Sequence, residues 1–382
     1  MNIRFDRNEL SGAFGDIGTD LPLIVGLILV TGLDAANVFL MFGIMQIITG
    51  LIYGIPMPVQ PLKLVAVIAI SSKLSAGVVL GAGLAIGITM LFFTISGLIT
   101  WINKVVPNSV IRGIQFGLGI KLILLAFMIY IPSEGLNGYL LSAVSFILIV
   151  LLIQNRKLPP ALPVIVLGVL YAFIFRIEPS EIVNNFGFVL PGVTIPGFQE
   201  VLTGFVILAI PQIPLSIGNS LLATQKVSED FFPERKLKVK KIAFIYSLMN
   251  IINPFVGGVP VCHGSGGLVG HHTFGARTGG SVIMYGILFL ILGLFCSGNF
   301  EQVLQIFPLS ILGTILVFEG FALSKLIKKT FNRQDLIIAL VVGFMAILFN
   351  YGFVIGLIAG TVIHYALKKL NNESAFWGRK GH

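Results

Sequence analysis

Apolar stretches long enough to cross a bilayer recur from Leu21 almost to the C-terminus. Hydrocarbon offers no hydrogen-bond partners, so each crossing must satisfy its own backbone, and stretches of this length do so as helices. The expected fold is an all-α polytopic membrane protein. Charged residues make up 11% and hydrophobic ones 56%, against roughly 25% charge in soluble domains. The first ten residues are polar and the first apolar segment runs straight into a second, which is not a cleavable signal. Cys262 and Cys296 lie in apolar surroundings and do not suggest a disulfide framework.

About fourteen segments fit the ~17–25 residues of a span. They centre near residues 25, 45, 64, 88, 118, 146, 168, 212, 247, 268, 288, 316, 341 and 359. The third and tenth are the weakest, each opening on a Pro-containing motif rich in small or polar residues. With a cytoplasmic N-terminus, the basic residues gather on the inner side. They are Arg4, Arg7, residues 104–112, Arg156 with Lys157, residues 226–241, Arg277, residues 325–333 and the tail from Lys368. Lys63, Lys73, Lys121 and Arg176 fall elsewhere. This is the positive-inside asymmetry, and it explains the net charge of +9 without a nucleic-acid partner.

One motif occurs twice. Residues 44–61 (IMQIITGLIYGIPMPVQP) align without a gap to residues 248–265 (LMNIINPFVGGVPVCHGS), pairing Met45 with Met249, Gly54 with Gly258 and Pro56 with Pro260. Fainter echoes pair Asp20 with Gln212, Gly26 with Gly218 and Gly119 with Gly320. Seven segments per half is an odd number, so the second half enters from the opposite side. The expected architecture is a 7+7 inverted repeat, residues 1–176 and 200–370, divided in an outward loop rich in Pro and Gly. Pro56, Pro58 and Pro61 forbid a regular helix, and Gly258, Gly264, Gly266 and Gly267 permit unusual backbone. Helices that begin in mid-membrane aim free N–H groups and positive dipole ends inward, and two meeting make an anion site. Gln60 and Ser265 would supply donors, with His263 a further candidate.

Several polar residues interrupt the apolar pattern. Asp16 and Asp20 enter the first span; each is a candidate to carry a coupling proton, and for Asp16 the competing reading is a helix cap or an ion pair with a basic residue. Gln212, with Asn219 and Ser220, makes a polar string that faces protein or a cavity. Glu319 stands alone in its span and is a third proton-carrier candidate; Lys63 would pair with a carboxylate or face the anion, and Lys121 would snorkel. His271 and His272 point to different helix faces without a third ligand at metal spacing, so no metal is expected. No phosphate loop, nucleophile elbow or hydrolytic carboxylate pair is present, so the chain is not read as an enzyme.

Residues 12–19 (GAFGDIGT), 56–63 (PMPVQPLK), 262–268 (CHGSGGL) and 274–279 (FGARTG), with residues 212–215 and Asn219–Ser220, resemble the signature motifs of the molybdate transporter family. That family is a branch of the sulfate-permease superfamily. The resemblance implies a core of segments 1–4 and 8–11 moving against a gate of segments 5–7 and 12–14. It implies a tetrahedral oxyanion, molybdate favoured over sulfate, held between segments 3 and 10. Candidate substrate-binding residues are Gln60, Pro61, Gln212, His263, Gly264, Ser265 and Gly266. A short tail replaces the C-terminal STAS domain of many sulfate permeases. The expected activity is proton-coupled import across the plasma membrane, without cofactor, with both termini cytoplasmic and a homodimer as a candidate assembly. A sulfate transporter, a nucleobase transporter of the same architecture and an anion channel are the rivals; the nucleobase reading would call for acidic side chains in segments eight and ten.

Overall fold

The structure is a computed structural model that describes residues 3–155, 158–176, 192–295, 307–329, 332–349 and 351–378. Arg156, Lys157, Cys296 and most of the expected dividing loop lie outside them. The first half comprises α1 (Arg7–Ala13), α2 (Ile17–Thr31), α3 (Ala35–Tyr53), α4 (Lys63–Ser71), α5 (Ala76–Ser96), α6 (Leu98–Val105), α7 (Asn108–Leu125), α8 (Gly135–Leu152) and α9 (Ala161–Phe175). The second comprises α10 (Phe198–Gly204), α11 (Ile210–Leu215), α12 (Thr224–Phe231), α13 (Val239–Ile252), α14 (Ser265–Thr273), α15 (Gly280–Phe295), α16 (Leu309–Ser324), α17 (Arg333–Leu348) and α18 (Gly352–Gly378).

Each of the fourteen expected centres falls inside one of these helices. Length and apolar composition alone mark six described helical runs as able to cross a membrane, or seven if α1 and α2, bent by 43°, count as one. The broken third and tenth segments fall below that length by design of the sequence. Outward faces stay apolar. On α8, Leu136, Leu140, Val144, Ile147 and Leu151 form an exposed stripe at helical spacing, the surface that lipid covers.

The helices pack as two groups. In one, α3 lies along α15 and α5 lies against α10 and α13; in the other, α7 lies against α16 and α17, and α17 against α18. The α3–α15 seam holds the buried aromatics Phe39, Phe42, Tyr285 and Phe289. It closes tightly because a Cβ at Gly43 would stand 2.5 Å from the Gly286 carbonyl oxygen. α2 and α4 pack together, and α2 also touches α16 across the boundary between groups.

Between the two groups the chain departs from an all-helical reading. β1 (Gln60–Pro61) pairs antiparallel with β2 (Val261–Cys262), Gln60 opposite Cys262 and Pro61 opposite Val261. α4 and α14 leave this pair in opposite directions. The extended backbone before each helix is braced by the helix upstream. Gln46 of α3 donates to the Val59 carbonyl at 2.8 Å and accepts from the Val59 N–H at 3.2 Å. Asn250 of α13, its equivalent in the repeat, donates to the Val261 carbonyl at 2.7 Å and accepts from the Val261 N–H at 2.9 Å. Thr49 and Asn253, also equivalent, donate to the carbonyls of Met57 and Val259. Buried backbone freed by proline is thus paired by side chains. Gly119 and Gly320 touch each other, each with the other's carbonyl oxygen 2.5 Å from where a Cβ would stand. Equivalent positions of the two halves thus meet in the packing of α7 on α16.

Candidate functional site

The braced strands set the starts of α4 and α14 side by side. Neither start carries a side-chain cap; Leu62 and Gly264 are the capping positions and make no such bond. The first intrahelical bonds come from Ala66 and Leu268, so the first-turn N–H groups of both helices remain to meet a ligand or water. The absence of a side chain at Gly264 leaves room for the Gln60 amide oxygen, which a Cβ would displace.

A cavity of about 650 Å³ opens in front of these starts. Gln60, Lys63, Asn219, Ser265 and Gly266 line it, as do Asp16, Thr19 and Glu319; Asp16 lies against Gly267 in the first turn of α14. Arg112, Pro159, Val227, Phe274 and Leu326 line it further out, beside the basic joints near residues 112, 226, 277 and 325. A void of about 20 Å³ continues inward between Gln60, Gln115, Gln212, Asn219 and Cys262. A second cavity, about 220 Å³, lies at the other end of α4, lined by Ile68, Ser72, Lys121 and Tyr351. Lys121 places its ammonium over the Phe353 ring there, 5.4 Å from the centroid.

The expected site residues divide. Gln60, Ser265 and Gly266 reach the large cavity, and Gln212 reaches the small void. The buried Gln60 amide nitrogen stands beside the Asp16 carboxylate without closing a well-formed bond, and Gln212 has an unpartnered amide oxygen; Gln212 also donates to Ser216 at 3.0 Å. Ser265 donates to Asn219 at 3.3 Å. Pro61 and Gly264 shape the strand and the helix start. His263 lines neither cavity. Its Nδ1 donates to the Pro58 carbonyl at 2.9 Å, and its Nε2 faces the Tyr53 hydroxyl at 3.3 Å, so the ring pins the two broken segments together.

The carboxylates divide too. Asp16 occupies the capping position of α2 but makes no capping bond, and its Oδ2 has no partner, so the helix-cap reading of it is set aside. Asp20 is fully buried behind the cavity wall with both oxygens unpartnered; the Tyr285 hydroxyl stands beside it without closing a well-formed bond. Glu319 pairs with Lys63 at 3.0 Å and accepts from Thr19 at 2.8 Å. Arg112, which lines the cavity, and Tyr285 and His271, which lie behind it, carry no sequence mark of these positions. Arg112 reads in the sequence as one more joint charge. Tyr285 sits in an apolar span with nothing to mark it, and His271, whose Nδ1 donates to the Gly12 carbonyl at 2.7 Å, reads as one of an unlinked pair.

The geometry can therefore hold an anion at two uncapped helix starts, with one lysine and two amides in reach and unpaired carboxylates nearby. A family model described as "Molybdate transporter of MFS superfamily" matches residues 8–122 and 204–323. The chain is 33% identical to Molybdate transporter 1 of Arabidopsis thaliana over 94% of its own length and 88% of that protein's. It is 32% identical to Molybdate transporter 2 of the same plant, over 94% and 87%. Its fold is similar to the transmembrane domain of the cyanobacterium bicarbonate transporter BicA, with a TM-score of 0.66 at 16% identity over 94% of this chain and 98% of that one. It is also similar to murine Slc26a9, an anion transporter, with a TM-score of 0.72 at 12% identity over 97% and 69%.

Proposed function

The chain belongs to the molybdate transporter family, and on that premise we propose that it imports molybdate, coupled to protons, across the cytoplasmic membrane. The observation that carries this reading is the pair of uncapped helix starts facing one cavity. A desolvated dianion there is met by backbone N–H groups and two positive dipole ends, as at other helix-terminal anion sites. Gln60 and Ser265 complete the shell from the cavity wall, Gln212 extends it inward, and Gly264 and Gly266 let the backbone approach. His263 holds the two breaks in register.

The group of α2 to α5 and α10 to α15 acts as a core; that of α7, α8, α9, α16, α17 and α18 acts as a gate. The large cavity is then the inward-facing route, since its mouth lies among the basic joints. The termini share that side. Uptake of a dianion against 100 mV costs about 4.6 kcal/mol at about 2.3 kcal/mol per charge, and each co-transported proton cancels one charge. Asp16 and Asp20 are the proposed carriers, because both Asp20 oxygens and the Asp16 Oδ2 are buried without a hydrogen-bond partner and a bare ion there is costly. Glu319, already paired, is the weaker candidate.

Calorimetric titration of the purified protein with molybdate, with sulfate as competitor, tests the substrate. Displacement of molybdate by equimolar sulfate would instead favour a general oxyanion carrier. Flux far above carrier rates would favour a channel.

A further inference from the structure

Lys63 is the first residue of α4 and lines both the large cavity and the void behind it. Among the described lining residues of the large cavity, Lys63 and Arg112 are the cations. Arg112 donates to Gln115 at 2.9 Å and lies on α7, away from both helix starts. Lys63 is therefore the charge that stands at a helix start. Its ammonium is nevertheless taken by Glu319, which projects from α16 in the other packing group.

We propose that Glu319 is a tethered competitor of the transported anion for Lys63, so that anion binding and the core–gate contact exclude one another. This rests on the substrate reading above. A carboxylate and an oxyanion are both acceptors for the same ammonium, and like charges crowded around one cation repel. The pair is partly open to the cavity, with side-chain exposures of 17% and 27%, so an entering anion can reach it. Its loss also has a structural consequence. Glu319 joins α16 to α2 through Thr19 and to α4 through Lys63. The other polar contact described between these groups is the longer one from the Tyr130 hydroxyl to the Pro22 carbonyl, 3.4 Å. An anion that draws Lys63 to itself breaks the charged link between gate and core and leaves Glu319 held to the core by the Thr19 hydroxyl alone. Asp16, on the same wall, remains to face Lys63.

Two readouts test this. In detergent, Glu319→Gln should bind molybdate about fivefold tighter or more, the size of a modest coupling free energy. In the absence of any anion, the same variant should change the rate at which a membrane-impermeant maleimide labels Val227→Cys in the cavity wall, read against the same proteins without Val227→Cys so that labelling of Cys262 and Cys296 is subtracted. Lys63→Gln/Glu319→Gln removes both charges and guards against misfolding from a lone lysine; it should show the labelling change without the gain in affinity. Unaltered or weaker binding by Glu319→Gln, or labelling equal to wild type in both variants, overturns the proposal. If wild type binds no molybdate, the substrate reading fails by itself, and the labelling without anion still decides whether the pair holds core to gate.

Discussion

At the scale of single residues, the site is set by polar atoms buried without a well-formed hydrogen bond. The Gln60 amide nitrogen is one of them. Gln60→Ala should cost about 1.5–3 kcal/mol of anion binding, the worth of a hydrogen bond to a charged group. Titration should read more than tenfold weaker affinity with an unchanged melting curve. Asp20 is another. It is enclosed by Asp16 and Tyr285, with Lys63 and Glu319 beyond. Asp20→Asn should bind molybdate like wild type but lose the rise in uptake that an acid-outside gradient produces. Uptake by the variant that still follows the gradient would remove Asp20 as a carrier. Gln60, Ser265 and the carboxylates were legible because polar residues in apolar spans are conspicuous. Tyr285 was not, because a tyrosine in such a span carries no mark of what its hydroxyl meets. His263 was legible as polar but not in its role: its ring pins Pro58 and Tyr53 instead of reaching the cavity.

At the scale of elements, Gln46 and Asn250 do for the two breaks what a helix does for itself. Asn250→Ala leaves both the N–H and the C=O of Val261 unpaired at the centre of the protein. At about 1–3 kcal/mol for each orphaned group, it should lower the melting temperature in detergent as much as Gln46→Ala does on the other side. A surface substitution such as Lys226→Ala serves as the control. The broken segments were plain in the proline and glycine pattern. The strand pair between them was not. Two residues per strand are too few to show alternation, and their pairing depends on side chains from helices that sequence shows only as apolar runs.

At the scale of the whole molecule, cavities sit at opposite ends of α4 and the Lys63–Glu319 pair lies at the inner end of the larger one. If two protons accompany each dianion, uptake into proteoliposomes should acidify the lumen and be indifferent to membrane potential. Potential-driven flux without acidification would rule that stoichiometry out. The pairing of residues 60–61 with residues 261–262 has a last consequence. It joins residues 60–61 of one repeat to the equivalents of residues 57–58 in the other, so one short stretch meets its own counterpart, as in an isologous contact between identical subunits. Two copies of a half-length chain, inserted in opposite orientations, could make that junction before any fusion joined them. Splitting the gene between residues 176 and 200 and expressing the fragments together should then rebuild a working carrier from separate polypeptides.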